Sequence, residues 1–509
     1  MRARRARLLP NIAANLMGQF VLLCLGIVAV KLVFGHLGRD ALGIVLFVQT
    51  LNLVLTGVLD LGVTSVTVRE VAAHGDDEPT YVRDLVRTAS ALYWGAFLLL
   101  ALTLIAAAPL ISTRLLRLQE MDPGTASTVL RILGVAALTA LPRALYVSLF
   151  RGLQRMALSN SIDVGIGVLQ QIGTVVILAL GGNLLAVVLW LAAGYLLGIA
   201  AYLLGLARLM PWSGLVPGWS RAAVRRNIRF SAHMTWISAA GVIHTYVDKL
   251  AVSALLPIAT FGSYAFASSI VARGAIVTAS VADAAYPSLS SLAHRNRVRL
   301  LAQYFKLQDL VCFGTIPVFG AIALLGPPLL RAVFGIAVAR SLLFPVAALC
   351  LGYYLNGTLM IPYLHSLAVG KPEITSRLTL IALAIVVPVT VGSVAVIGVS
   401  GASFGYLAYH LFFYAVGVPR YCRECLGIPV MSWYAPVSKA LALAGATYGV
   451  AALTLAFLHI ADWPGVGAAV IVASAIFAVV AYRLIDPTLR ETMQALRRGG
   501  WQEVLGHAA

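Results

Sequence analysis

Charged side chains are scarce in this sequence. Asp, Glu, Lys and Arg make up 11% of the 509 residues, whereas 60% are hydrophobic and the mean hydropathy is +0.91. A soluble chain of this length could not bury so much apolar surface in one core. The composition therefore excludes an ordinary soluble protein and predicts a polytopic membrane protein.

Cysteine is also rare, with five residues in the chain. Cys24, Cys312 and Cys350 fall in apolar stretches, whereas Cys422 and Cys425 form a Cys-x-x-Cys in a loop predicted to face the reducing cytoplasm. These positions give no disulfide framework. Because no second pair lies near Cys422 and Cys425, a metal site there is disfavoured.

Motifs for nucleotide hydrolysis and zinc-dependent hydrolysis are missing. The sequence has no P-loop and no His-Glu-x-x-His. We therefore expect a transporter without a cofactor and not an ATPase or another enzyme. Any pumping would have to draw on an ion gradient, the substrate gradient or a partner.

Long apolar runs dominate the chain. A hydrocarbon core of about 30 Å needs about 20 apolar residues in a helix, and fourteen stretches approach or exceed that length. They are residues 11–33, 42–67, 88–110, 129–150, 161–181, 184–207, 230–255, 259–283, 307–330, 341–365, 376–398, 402–419, 436–459 and 464–485. Barrel strands would instead alternate over about ten residues. The pattern predicts an all-α fold with about 14 transmembrane helices.

Basic residues are distributed asymmetrically between the predicted loops. Loops on the side of the N-terminus hold 27 Lys and Arg residues, and loops on the opposite side hold six. Positive charge marks the cytoplasmic side of membrane proteins, so we expect a bacterial inner-membrane protein with both termini in the cytoplasm. The first apolar stretch is long and is followed by further spans, which predicts a membrane helix and not a cleaved signal peptide.

The net charge of +18 follows from these loops. Basic loops beside a membrane face anionic lipid headgroups, and no loop is long enough to fold as a nucleic-acid-binding module. We therefore expect membrane lipids, and no nucleic acid, as partners of the basic surface.

A weak internal repeat divides the chain. Residues 42–47 (LGIVLF) align with residues 261–266 (FGSYAF) at an offset of 219, and Arg155 aligns with Lys371 at an offset of 216. Such repeats are typical of transporters, whose substrate path lies at the repeat interface. The predicted organisation consists of an N-terminal lobe at 1–210, a basic cytoplasmic linker at 211–229, a C-terminal lobe at 230–420, two added helices at 436–485 and a cytoplasmic tail at 486–509.

Two ionisable residues lie deepest within the predicted spans. Asp60 stands 18 residues after the start of the second stretch, where it is either a structural hydrogen-bond partner or a protonatable or cation-binding group. Arg273 lies midway along the eighth stretch. Its guanidinium suits phosphate oxygens, and an ion pair with Asp60 or Asp248 is the competing explanation.

Other ionisable residues lie nearer the ends of the spans. Asp248 and Lys249 are adjacent, so they point about 100° apart on a helix, and an anchoring role and a ligand role remain open for both. Snorkelling to the headgroup boundary is a further explanation for the positions of Lys31, Arg143, Asp163 and Asp283. The histidine candidates, which neighbouring helices more often satisfy than use for proton transfer, are His233, His244 and His365.

Several short motifs follow one another in a familiar order. They are Gly38-Arg-Asp-Ala-Leu-Gly43, Leu59-Asp-Leu-Gly-Val63, Arg69-Glu70, Leu149-Phe-Arg-Gly-Leu-Gln-Arg155, Val247-Asp-Lys-Leu-Ala-Val252, Phe261-Gly-Ser-Tyr264, Tyr286-Pro-Ser-Leu-Ser290, Ala368-Val-Gly-Lys371 and Gly401-Ala-Ser-Phe-Gly405. In their order and spacing they resemble the polysaccharide (O-antigen, Wzx-type) flippases of the MOP superfamily, which also holds MATE exporters and lipid II flippases.

This resemblance implies a fold and an activity. It implies two six-helix lobes and alternating access that moves an undecaprenyl-diphosphate-linked oligosaccharide to the outer leaflet for surface polysaccharide export. It further implies a cationic cavity, to which we assign Arg273, Lys249 and Lys31 as substrate contacts. We assign coupling or gating to Asp60 and Asp248. Proton or sodium coupling, and partners such as a polysaccharide polymerase and other envelope assembly proteins, are part of the same expectation.

Two other functions remain open. A MATE-like cation-coupled drug exporter would need a cavity dominated by acids, whereas the basic candidates here match or outnumber the acids. A membrane-embedded glycosyltransferase or ligase usually carries a large outer loop with a catalytic acid. The longest outer loop predicted here, at 111–128, is short, and its only acidic residues are Glu120 and Asp122.

Overall fold

A computed structural model describes residues 8–60, 62–74, 77–293, 297–487, 489–491 and 494, without the side chains of 8–17, 233, 237, 283, 284, 287 and 288. The side chains of His233 and Asp283, the N-terminal arginines and most of the predicted tail lie outside this description. The described residues are almost entirely helical and form no strand. This confirms the predicted all-α class.

Contacts divide the chain into two compact units, Met1–Ser263 and Tyr264–Ala509. The helices that begin in the first unit are α1 (Leu8–Leu32), α2 (Arg39–Val58), α3 (Val63–His74), α4 (Pro79–Leu110), α5 (Pro123–Val129), α6 (Val135–Leu138), α7 (Ala140–Gly152), α8 (Met156–Ala179), α9 (Leu184–Ala207), α10 (Trp212–Leu215), α11 (Arg221–Leu255) and α12 (Ile258–Arg273). The boundaries of the predicted lobes come from the sequence repeat, whereas the boundary between the two units comes from contacts. The lobe boundaries therefore stay a prediction.

The second unit continues with shorter connections between its helices. Its helices are α13 (Ala275–Ala293), α14 (Arg297–Gly314), α15 (Ile316–Phe334), α16 (Ile336–Ala368), α17 (Pro372–Ile397), α18 (Ala402–Phe412), α19 (Val418–Tyr421), α20 (Val430–Ala444), α21 (Val450–Phe457) and α22 (Trp463–Leu484). Short π-helical turns extend several of them, for example Phe413–Gly417 after α18 and Gly445–Gly449 before α21.

Among the described residues, twelve helical runs are long and apolar enough to cross a membrane by length and composition. One of them, Pro372–Leu426, contains both α17 and α18, which were predicted as separate spans. The 35-residue α11 is not among the twelve. The predicted count of 14 is therefore approximate, and the protein is a multi-pass membrane protein.

Glycines in α2 and at the start of α12 permit an unusually close helix crossing. A Cβ atom at Gly262 would lie 2.8 Å from the Cα of Gly43, and a Cβ at Gly43 would overlap the backbone carbonyl of Ile258. These two glycines are the pair that the internal repeat aligns. The lack of side chains lets the two backbones touch, as small residues do at other membrane helix interfaces.

A side chain at Gly43 should therefore be poorly tolerated. We expect Gly43→Ala to lower the free energy of unfolding by about 2 kcal/mol, because backbone atoms of Ile258 cannot move aside as the end of a side chain can. The thermal unfolding midpoint of the detergent-solubilised protein measures this. Gly241→Ala in α11 is the matched control, since nothing lies within 4 Å of a Cβ there. Equal midpoints for both variants would contradict the predicted clash.

Asp40 fixes the connection that follows α4. Its Oδ2 atom accepts hydrogen bonds from the backbone N–H groups of Gln119 and Glu120, both at 2.7 Å, and of Met121 at 3.0 Å. The residue is 1% exposed. Three charge-assisted hydrogen bonds to Oδ2 stabilise the buried carboxylate, so Asp40 anchors this loop to the start of α2.

The start of α11 is held by a polar cluster, named here the Arg226 cluster and formed by Arg69, Glu70, His74, Glu78 and Arg226. The Arg226 guanidinium donates to Glu78 at 2.8 Å, and Arg69 pairs with Glu70 at 2.6 Å. His74 lies 3.4 Å from Glu70 and 3.7 Å from Glu78. The predicted linker 211–229 is thus partly helical and is tied by charge to the chain between α3 and α4.

Acid should weaken the Arg226 cluster. Burial works to raise the pKa of Glu70, but hydrogen bonds from Tyr81 and Arg69 and the charges of Arg69 and His74 hold that pKa below its ordinary value of 4.5. A carboxylate with a lowered pKa stabilises the fold above its unfolded pKa, and this contribution disappears as the pH falls through the folded pKa.

We therefore expect the unfolding midpoint of the wild-type protein to fall as the pH drops below about 4.5, and Glu70→Gln to flatten this dependence. Unfolding curves recorded over this acidic range provide the measurement. Glu373→Gln, at an exposed position in the first turn of α17, is the control for loss of a carboxyl group. An unchanged pH dependence in Glu70→Gln would rule out this role.

Candidate functional site: a polar cavity in the first unit

The first unit contains a cavity of about 570 Å³ that is open to the outside and is lined by residues of α2, α3, α7, α8 and α9, most of which have polar side chains. This volume is within the range of about 300–1,000 Å³ that is usual for ligand pockets. The charged residues that line it are Arg143, Arg151 and Asp163. The uncharged polar residues are Gln49, Asn52, Thr56, Thr64, Ser65, Ser148 and Tyr195. Two cations against one anion give the lining a net positive charge.

Arg143 and Asp163 face each other in the cavity wall. The Arg143 Nη2 atom lies 3.4 Å from Asp163 Oδ1, with 29% and 39% of the two side chains exposed. The buried Tyr202 donates a hydrogen bond to the same carboxylate at 2.9 Å. The headgroup-boundary interpretation of Arg143 and Asp163 missed this pairing.

Arg151 supplies the second cation of the cavity. It lies in the last turn of α7 and is exposed. Within the part of the chain that the structure describes, no carboxylate lies within ion-pair distance of it. Its guanidinium is therefore available for an anionic ligand.

Asp60 lies at a break between α2 and α3, where the sequence pattern predicted one continuous span. Its carboxylate accepts hydrogen bonds from the Tyr93 hydroxyl at 2.7 Å and from the Thr64 hydroxyl at 2.8 Å. Gly62 follows with a φ of +65°, and a Cβ there would lie 2.5 Å from the Ser231 carbonyl oxygen. Asp60 thus holds the break in place and is connected to the cavity through the lining residue Thr64.

Asp248 and Lys249 are brought together despite their adjacent positions in α11. Lys249 Nζ lies 3.3 Å from Asp248 Oδ2, and their side chains are 12% and 6% exposed. The ammonium also lies 5.6 Å from the centre of the Tyr246 ring. This pairing neutralises Lys249, which makes it a weaker candidate for binding an anion than an unpaired cation.

Arg273 and Lys31 are both exposed at helix ends. Arg273 is the last residue of α12, beside Gly274, and Lys31 lies in the last turn of α1. Among the described residues, none forms an ion pair with either side chain.

Two of the histidine candidates, His365 and His244, have side chains that the structure describes. His365 is 1% exposed, and its ring packs edge-on against Tyr304 with 5.3 Å between the ring centres. His244 lies on α11 in the other unit. Within the described residues, no group of three or more His, Cys, Asp or Glu side chains is arranged to hold a metal ion.

Residues 401–405 read Gly-Ala-Ser-Phe-Gly and so fit the letter pattern of a hydrolase nucleophile elbow. Ser403 is fully buried, and its hydroxyl donates to the Ser400 carbonyl oxygen at 3.3 Å. The segment begins α18, whereas a nucleophile elbow follows a strand. The pentapeptide therefore serves helix packing and does not present a nucleophile.

Comparisons with known proteins agree with the resemblance drawn from the sequence motifs. The structure of the lipid II flippase MurJ in an inward closed conformation is similar with a TM-score of 0.66 and 14% identity, covering 92% of this chain and 99% of that chain. An inward-facing multidrug resistance MATE family transporter of the MOP superfamily gives a TM-score of 0.63 and 16% identity, covering 79% and 95%.

A third structure, a MOP superfamily transporter from Pyrococcus furiosus, gives a TM-score of 0.51 and 16% identity over 78% of this chain and 91% of that chain. At such low identities these likenesses show the fold alone. The comparison with curated proteins gives no match. Residues 8–293 match the family described as polysaccharide biosynthesis protein. Because this match covers more than half of the 509 residues, the chain belongs to the polysaccharide biosynthesis protein family, as its motifs predicted.

Proposed function

We propose that this protein is a flippase that moves undecaprenyl-diphosphate-linked oligosaccharide from the cytoplasmic to the outer leaflet by alternating access. The observation that carries the proposal is the net-positive polar cavity within a bundle of membrane helices. Membership of the polysaccharide biosynthesis family and the fold shared with a lipid II flippase support it.

The chemistry of the cavity suits such a headgroup. A diphosphate in hydrocarbon would carry an uncompensated charge, which costs many kcal/mol. Arginine makes bidentate contacts to phosphate oxygens, and Arg143 and Arg151 both line the cavity. The amide and hydroxyl groups beside them can hydrogen-bond sugars, while the prenyl tail stays in lipid.

The cavity also lies where a cytoplasmic substrate would enter. In the predicted topology, the loop at 151–160 that follows Arg151 is cytoplasmic, because basic residues accumulate on that side. The lining residues of α2 and α3 extend from Gln49 to Val68. They therefore run from the outer third of the second predicted span to its cytoplasmic end.

The exposed cations outside this cavity complete the proposed substrate path. Arg273 and Lys31 remain proposed substrate contacts, with Lys249 as a third contact that Asp248 has to release. Asp60 and Asp248 remain the proposed gating or coupling acids, with protons or sodium ions as the coupled ions. Location in a bacterial inner membrane, cytoplasmic termini and cooperation with a polysaccharide polymerase belong to the same proposal.

Deletion of the gene tests this function directly. We expect the complete lipid-linked oligosaccharide to accumulate on the cytoplasmic face of the membrane while the surface glycan is lost, as measured by leaflet-specific labelling of extracted lipids. Unchanged lipid-linked sugars with new sensitivity to cationic dyes would instead favour the MATE-like exporter. Accumulation of a shorter, unextended lipid-linked sugar would favour a glycosyltransferase or ligase.

A further inference from the structure

We infer that Asp163 is an internal counter-ion that occupies Arg143 until an anionic headgroup displaces it, so that Asp163 sets the affinity and selectivity of the cavity for anions. This inference rests on the proposed function, because it assigns a role to a residue of the same cavity. It makes Asp163 a specificity residue and not a direct contact of the diphosphate.

The ion pair has the properties of an exchangeable contact. Its N–O distance of 3.4 Å is longer than the usual 2.7–2.9 Å of a strong charge-assisted hydrogen bond. Both side chains are about one third exposed, and pairs with such access to water contribute little net stability. A ligand with more negative charge can therefore replace the carboxylate at Arg143.

The two partners are not held equally. The Tyr202 hydroxyl lies 2.9 Å from Asp163 Oδ1 and 2.8 Å from Ser159 Oγ, and both Tyr202 and Ser159 are buried. Asp163 is therefore fixed to the framework of α8 and α9. Arg143 has no second ion-pair partner in the described part of the chain, and its guanidinium lies only loosely over the Tyr202 ring at 5.9 Å.

This asymmetry determines which side chain moves. When a phosphate oxygen approaches, we expect Arg143 to rotate away while Tyr202 keeps Asp163 in position. The diphosphate then gains the bidentate guanidinium and the second cation, Arg151. A ligand with one weak negative charge gains too little to break the pair, so competition by Asp163 favours strongly anionic headgroups.

Binding of inorganic pyrophosphate and of geranylgeranyl diphosphate to the purified full-length protein in detergent tests the inference. We expect Asp163→Asn to bind both probes about five- to tenfold more tightly, since the amide keeps the Tyr202 hydrogen bond but no longer competes for Arg143. Inorganic phosphate should gain more than either diphosphate, so that selectivity for diphosphate falls. Asp462→Asn, which removes the same charge at the start of α22, should leave these dissociation constants unchanged.

A double mutant separates this inference from the proposed function. In an Arg143→Gln background, Asp163→Asn should have no further effect, because the competing partner is gone. Unchanged or weaker binding by Asp163→Asn, with Arg143→Gln weakening binding, would overturn the role of Asp163 and leave the cavity assignment standing. Undiminished binding by Arg143→Gln would overturn the cavity assignment itself. Asp163→Ser provides the same test if the asparagine variant does not fold.

Discussion

Replacing Arg143 by glutamine is expected to abolish export of the surface glycan while the protein remains in the membrane. The side chain lines the cavity and is the cation that faces both its interior and Asp163. Hydrogen bonds to a charged group contribute about 1.5–3 kcal/mol, so their loss corresponds to a decrease in headgroup affinity of about tenfold to a hundredfold. Arg143→Lys keeps the charge but loses the bidentate geometry, and we expect intermediate export.

Surface glycan measured at equal membrane levels of each variant provides the comparison. Arg114→Gln is the matched control, because Arg114 is an exposed arginine of the same unit that does not line the cavity. Arg151→Gln should reduce export in the same direction as Arg143→Gln. Wild-type export by both cavity variants would show that the substrate does not pass this cavity.

Replacing Asp60 by asparagine is the second change with a large expected effect, a loss of export of about tenfold or more. The carboxylate accepts hydrogen bonds from Tyr93 and Thr64. An amide offers one oxygen to these two hydroxyls and leaves a donor without an acceptor, at a cost of about 1–3 kcal/mol. The break between α2 and α3 would then loosen beside the cavity.

Tyr93→Phe distinguishes gating from simple support of the break. It removes the hydroxyl that donates to both the carboxylate and the backbone carbonyl of Asp60 but keeps the negative charge, so we expect it to lower the unfolding midpoint and retain most of the export. Asp60→Asn should lose export at a similar midpoint. If the two variants lose stability and export in parallel, Asp60 is a structural cap and not a gating acid.

The sequence pattern predicts the helices well because hydrophobic length is a direct requirement of the bilayer. It fails at the break after Val58, since hydropathy reports apolarity and not the backbone conformation that Gly62 adopts. It also begins the seventh stretch at 230, nine residues after the start of α11, because the arginines of 221–229 appear as a loop. They instead form the first turns of α11, where Arg226 pairs with Glu78.

The sequence contains a signal for the pairing of Arg143 with Asp163, which their depth within the predicted spans does not reveal. These residues lie ten positions on either side of Leu153, the first residue of the short connection between α7 and α8. Antiparallel neighbouring helices bring such positions to the same level. Polar lining residues such as Gln49 and Thr56 gave no signal of this kind, because only packing shows which face of a helix borders a cavity.

The way in which Asp40 holds its loop has a practical consequence for reporter design. Its carboxylate accepts hydrogen bonds from main-chain N–H groups of residues 119–121, and Gln119 and Glu120 are exposed. The hydrogen bonds to Asp40 therefore do not depend on which side chains occupy positions 119 and 120. A fluorophore or epitope attached at Gln119 would be held by a rigid loop and would not disturb the hydrogen bonds between this loop and Asp40.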